Sequence, residues 1–263
     1  MFYKIKGYIT SLFQERMARN DLTVLGDDTF IVSYPKSGNT WMRFLLGTAI
    51  KQIKVDWFTV DSTVPAIYRL PDKNLLKINR PRLLKSHHSY DLRYPKVIYI
   101  VRNPIDVCVS YYYFKLKFTK LNKTPNFTDY FENFLDGSLD DFGSWSFNVS
   151  SWVHSNHNKE GRIMFCRYED MISNTEAELS KILKFMGISV SDSFLKEAIS
   201  WSSRDNMAKL EKRDSMSPLF KNTDKSINFV SNKTDYKKRI LLSEVQKEKI
   251  YSKFSVMMKY FNY

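Results

Sequence analysis

The sequence predicts one α/β domain: a central, mostly parallel sheet flanked by helices, with a P-loop-like strand–loop–helix unit near its start. Three observations predict it. Four short runs rich in apolar and β-branched residues, at 29–33, 82–85, 96–101 and 162–167, alternate with longer helical patterns. The first run leads through a tight, Gly-containing loop into a helix start. No Ser/Gly-rich linker, repeat or low-complexity tract divides the 263 residues, and 43% hydrophobic content is ample for one core.

The first element is the apolar run Thr29-Phe30-Ile31-Val32-Ser33. Tyr34 to Trp41 follow as YPKSGNTW, and residues 42–50 have helical character. Such a unit aims backbone N–H groups at an anionic phosphate. Lys36 adds a mobile positive charge, and Ser37 and Thr40 add hydroxyls. The Lys precedes the only Gly of the loop by two positions, so the Walker order GxxxxGK[ST] is absent.

The second strand ends in Lys85-Ser86-His87-His88. A histidine titrates near neutrality and is the natural general base there. The third strand ends in Arg102-Asn103-Pro104-Ile105-Asp106, where Pro104 suits a first helical turn and Asp106 a helix N-terminus. Ser110 lies one to two turns into that helix, so it and Arg102 could grip one phosphate. The fourth strand ends at Tyr168-Glu169-Asp170. A helix over 176–186 follows and stops at Gly187. In parallel sheets, ligands sit beyond the C-terminal strand ends. Lys36, Lys85 to His87, Arg102 and Tyr168 all fall there. His154 and His157, in the polar stretch SNHNKEG, are expected at the surface.

The net charge of +13 and pI near 9.5 predict attraction to anions, although most of these lysines are expected to be solvated surface residues. Cys108 and Cys166 sit in apolar settings and are expected as buried thiols rather than a disulfide. Residues 1–20 lack a signal-peptide core; they predict a basic amphipathic helix packed on the domain. No run of about 18 apolar residues occurs, so no membrane span and a cytoplasmic location are expected. No acidic cluster accompanies the loop, so no metal is expected.

YPKSGNTW resembles the 5′-phosphosulfate loop of sulfotransferases that use 3′-phosphoadenylyl sulfate (PAPS). VRNPIDVCVSYYYF resembles the 3′-phosphate segment of that family, KSH its KTH segment, and CRYEDM its YED segment. The resemblance runs from Phe30 to Tyr236. It implies a cytosolic-type sulfotransferase that moves a sulfuryl group from PAPS to a hydroxyl or amine and releases adenosine 3′,5′-bisphosphate (PAP). It implies a nucleotide site formed by Lys36, Ser37, Gly38, Asn39, Thr40, Trp41, Arg102, Ser110, Tyr168 and Ser203. Trp41 would stack on adenine. The implied catalytic groups are His87 as base, Lys36 at the leaving phosphate and Lys85 at the sulfuryl oxygens.

Two departures stand out. Arg204 occupies the place of a family Phe in SSRDNM, beside Ser203. The family's RKGxxGDWK loop is replaced by FVSNKTDYKK; aligning Asp235-Tyr236-Lys237 on its end leaves Phe229-Val230-Ser231 opposite RKG. Both basic residues are gone, and Lys233 is the substitute charge. The family's C-terminal dimer motif is not clearly present, and a homodimer is left open. The rival functions are a P-loop kinase or NTPase and a non-catalytic binder of nucleic acid or polyanion; no nucleic-acid partner is expected. Aromatic-rich stretches at 56–70, 117–144 and 204–228 favour a small or medium-sized, partly apolar acceptor over a long polyanion, with a glycan-like one kept open. They hold Trp57, Phe58, Tyr68, Phe118, Phe127, Tyr130 and Phe131, with Trp145 nearby.

Overall fold

The computed structural model describes residues 19–119, 126–231 and 242–263. The helix expected over residues 1–20 lies almost wholly outside them, and Lys233 wholly so. Strand β1 (Thr29–Ser33) is followed by α1 (Asn39–Lys51) and two single turns, α2 (Val60–Thr63) and α3 (Asp72–Leu75). Strands β2 (Leu83–Ser86) and β3 (Lys96–Val101) come next. Then follow α4 (Pro104–Phe118), α5 (Phe127–Asp136), α6 (Trp145–Val153) and the short α7 (Asn156–Lys159). Strand β4 (Ile163–Arg167) runs straight into α8 (Tyr168–Ser173). Helices α9 (Thr175–Met186), α10 (Asp192–Trp201), α11 (Arg204–Arg213) and α12 (Glu244–Tyr260) complete the chain.

The four strands are all parallel, in the order β2-β1-β3-β4. The chain leaves β1 for β2 on one side and then crosses to β3 on the other. Between β1 and β3 the connections diverge, and a crevice opens beyond the strand ends. Ser33 pairs with Ile100, so the loops after these two strands start level and side by side.

Alternation of side chains builds a layer on each face of the sheet. Phe30, Val32, Val97, Tyr99 and Val101 pack with α4, α5, α6 and α12. Ile31, Ile98, Ile100 and Cys166 pack with α1 and α9. Helix α1 offers Met42, Leu45, Leu46 and Ala49 at helical spacing, all fully buried. Pro104 opens α4, and the Asn103 side chain caps it by accepting from Ile105 N–H. Gly187, at φ 74°, closes α9 in the left-handed conformation that glycine adopts without strain. Below the strands' N-terminal ends, the guanidinium of Arg82 donates to both carboxylate oxygens of Asp28, and both side chains are fully buried.

Both cysteines are free and buried. His154 is exposed, but His157 is buried at 2% exposure, against the surface position its polar neighbourhood predicts. The polar neighbours serve the backbone instead. Ser155 caps α7, Asn158 Nδ2 donates to Val153 C=O, and the turn tucks His157 against the Tyr90 hydroxyl at 2.8 Å. Among the described residues, no helix is long and apolar enough to cross a membrane.

Candidate active site

A cavity of about 570 Å³ opens beyond the C-terminal ends of β1, β2 and β3. Its size falls in the usual range of small-molecule sites. Lys36, Gly38, Asn39, Thr40, Trp41, Lys85, His87, Arg102, Ser110, Tyr168 and Ser203 all line it. Residues from five separate chain segments thus meet on one surface.

The loop between β1 and α1 forms the floor. Lys36 sits at φ 69°, an uncommon backbone conformation for a residue with a Cβ. Gly38 has φ 101° and precedes α1 without any side-chain cap, and no acidic residue lies in the first turn. The first N–H groups of α1 therefore keep their capacity for an anion. A Cβ on Gly38 would come within 2.5 Å of the Tyr168 ring, so glycine is required twice over. Asn39 ties the loop down: its Nδ2 donates to Ile31 C=O and Ser33 Oγ. Ser37 does not line the cavity. Its side chain is fully buried, and its N–H turns back to Tyr34 C=O.

Arg102 leaves the end of β3 and is 6% exposed. Its Nη1 donates to Lys36 C=O at 3.1 Å, and its Cζ lies 4.5 Å from the Tyr168 ring centroid. This couples the loop, the β3 end and the start of α8. Glu169 reinforces the junction by accepting from Asn103 N–H and the Tyr263 hydroxyl. Ser110, on α4, lines the same cavity. Trp41 and Tyr168 meet edge to face at 5.8 Å, and Trp41 Nε1 donates to Ser202 C=O. The Ser203 hydroxyl caps α11 by accepting from Asn206 N–H.

His87 follows β2. Its Nδ1 lies 2.7 Å from Ser33 C=O. A carbonyl only accepts, so Nδ1 carries the proton and Nε2 keeps its lone pair. Asn148 Nδ2 holds the His87 carbonyl at 2.9 Å. Burial, reinforced by the nearby Lys85 charge, holds the imidazolium well below its ordinary pKa against the opposing Ser33 contact. Burial likewise pushes the Lys85 ammonium well down, with Arg43 and Arg69 adding repulsion. Tyr68 and Phe142 form an aromatic rim around His87, with ring centroids at 6.3 and 5.5 Å.

Several functional candidates escaped sequence reasoning. Phe229 and Phe114 flank the Lys36 ammonium at 4.1 and 4.7 Å from their centroids. Glu211 accepts from the N–H groups of Phe229 and Val230 at 2.7 and 2.8 Å. Lys117, almost fully buried, lies 3.3 Å from Glu211 and donates to Asp224 C=O and Ile227 C=O. This buried pair lays residues 224–230 across the site, and Val230 and Ser231 line the cavity. The departure from RKG is thus filled by an aromatic wall. Nothing in the local pattern of Lys117 or Glu211 separates them from surface charges. Of the aromatics singled out for the acceptor side, only Tyr68 lines the cavity; Trp57, Tyr130, Phe131 and Trp145 are core. Among the described residues, no three His, Cys, Asp or Glu side chains group as metal ligands.

Residues 26–261 match the sulfotransferase domain family. Sulfotransferase 1E1 of Bos taurus is 32% identical over 199 residues, 69% of this chain and 66% of that protein. Sulfotransferase 1A1 of Rattus norvegicus is 35% identical over 187 residues, 65% of this chain and 63% of its own length. The chain thus spans slightly under two thirds of the length of these relatives. Mouse sulfotransferase SULT7A1, solved in complex with PAP, superposes with a TM-score of 0.67 at 26% identity, covering 90% of this chain and 85% of its own. Retinol dehydratase shares the fold, with a TM-score of 0.69 at 18% identity and coverage of 97% and 86%.

Proposed function

Because this chain belongs to the sulfotransferase family, we propose that it transfers a sulfuryl group from PAPS to a hydroxyl or amine of a small or medium-sized acceptor. The observation that carries this reading is one cavity holding the Lys36 loop, the Arg102–Ser110 pair and the Lys85–His87 pair together. The PAP complex of the mouse relative supports the choice of nucleotide.

The residues present fit such a donor. The uncapped start of α1, with Thr40, suits a 5′-phosphate, and Arg102 with Ser110 suits a 3′-phosphate. Trp41 and Tyr168 provide aromatic surface for adenine, where stacking is worth roughly 1–3 kcal/mol.

PAPS supplies an activated sulfuryl group on a phosphate leaving group. The chain's own residues then position, neutralise charge and move one proton. His87, neutral with Nε2 open, accepts the proton of the acceptor. Lys36 stabilises charge on the leaving phosphate oxygen, and Lys85 polarises the sulfuryl oxygens. Phe229 and Phe114 face the Lys36 ammonium with their rings and help to hold it.

The test is sulfuryl transfer from labelled PAPS to a panel of simple phenols and amines, with Lys36→Ala and His87→Ala alongside. Transfer by the wild-type chain that both variants lose is expected. Wild-type turnover in either variant, or no transfer to any acceptor, contradicts the assignment.

A further inference from the structure

The acceptor side of the cavity carries charge that sulfuryl transfer itself does not use. Beside His87 the cavity is also lined by Arg43, Asp61, Tyr68 and Arg69. Asp61 is the one carboxylate among the described residues lining the cavity. Its Oδ1 accepts from Arg43 at 2.5 Å and its Oδ2 from Arg69 at 2.8 Å. One carboxylate thus faces two guanidinium groups, and the trio keeps one net positive charge.

The two arginines differ in what they have left to give. Arg43 is 5% exposed and spent on structure, with Nε on Val64 C=O and Nη2 on Val60 C=O and Asp61. The Arg69 side chain is 43% exposed, and its guanidinium makes a single protein hydrogen bond among the described residues, through Nη1. A guanidinium has five N–H donors in a planar fork, so most of Arg69's capacity is available to a ligand. Each oxygen of Asp61 already accepts a guanidinium donor, and the net positive charge of the trio disfavours a cationic acceptor. The Arg43 and Arg69 charges are close enough to depress Lys85, so an anion bound at Arg69 also relieves repulsion beside the reacting centre.

The geometry points to an anion subsite centred on Arg69: the acceptor is an aryl or similarly apolar alcohol that carries a carboxylate or another anionic group away from its reacting hydroxyl. The aromatic rim of Tyr68 and Phe142 takes the apolar body beside His87, and Arg69 takes the charge. This rests on the transferase reading for the identity of the reacting hydroxyl.

The test uses the full chain saturated with PAP and three matched phenols: 3-(4-hydroxyphenyl)propionate, its uncharged amide, and tyramine. Calorimetry should show the acid binding roughly tenfold tighter than the amide, as a charge-assisted pair provides, with tyramine weakest. Arg69→Met should bring the acid down to the level of the amide, and Arg69→Lys should restore part of the difference. In PAPS-dependent transfer, the ratio of kcat/KM for acid over amide should fall from about ten to near one in Arg69→Met. Failure of the acid to bind, equal binding of acid and amide, or equal losses of both in Arg69→Met overturns the subsite. The two readings fail separately. Arg69-dependent binding of the acid without any transfer removes the transferase and keeps the subsite, whereas transfer to acid and amide at equal efficiency does the reverse.

Discussion

The Lys36 ammonium lies 4.1 Å from the centroid of the Phe229 ring. The two residues are far apart in sequence, and they meet because the Glu211–Lys117 pair lays the 224–230 segment over the phosphate loop. An aromatic face attracts a cation by about 0.5–2 kcal/mol, more strongly when water is excluded. Phe229 therefore holds the charged end of Lys36 inside the cavity.

Replacing Lys36 with Ala should lower the transfer rate by about 100- to 1,000-fold, the usual effect of deleting one stabilising donor at a developing charge. PAP should still bind, because Arg102 and the α1 N-terminus persist. Single-turnover rates and calorimetry on the same variant separate the two effects.

Loosening the overlying segment should weaken the nucleotide site from a distance. Glu211→Ala leaves the buried Lys117 ammonium without its carboxylate, at a cost of about 3–5 kcal/mol. The urea midpoint should fall, and PAP affinity with it. Adding Lys117→Met should recover part of the stability, because the two groups are coupled.

Gly38→Ala should damage nucleotide binding more than any other small change in the loop. The new Cβ would lie 2.5 Å from Tyr168 at a backbone φ of 101°, and a non-glycine residue there costs roughly 1–2 kcal/mol before the clash is counted. A drop of at least about tenfold in PAP affinity is expected. Gly26→Ala, whose Cβ would meet nothing within 4 Å, is the control.

The pH profile should carry the mark of a depressed histidine. His87 must be neutral to accept a proton, and its folded pKa lies below the ordinary 6.5. The active form therefore survives as pH falls through 6.5 and is lost only beneath it. A plot of kcat/KM should stay level down to pH 6.5 and fall below that. A half-maximum at or above 6.5 would remove His87 from the role of base.

The four strands and most cavity residues were legible because their signals are local. Strand β1 is a continuous apolar run, Pro104 and Gly187 punctuate helix ends, and the loop's Lys, Gly and Thr are contiguous. What stayed hidden depends on distant pairings. Glu211 and Lys117 look like surface charges until the fold brings them together. His157 looks exposed until Tyr90 covers it. Ser37 looks like a phosphate ligand until its loop turns the side chain inward.

The cavity is expected to read two phosphates of one nucleotide. Calorimetric titration with PAP, against 5′-AMP as control, tests it most directly. Tight binding of PAP that is lost when the 3′-phosphate is missing is expected, because Arg102 and Ser110 then have no phosphate to grip. No binding, or equal binding of both nucleotides, would contradict it.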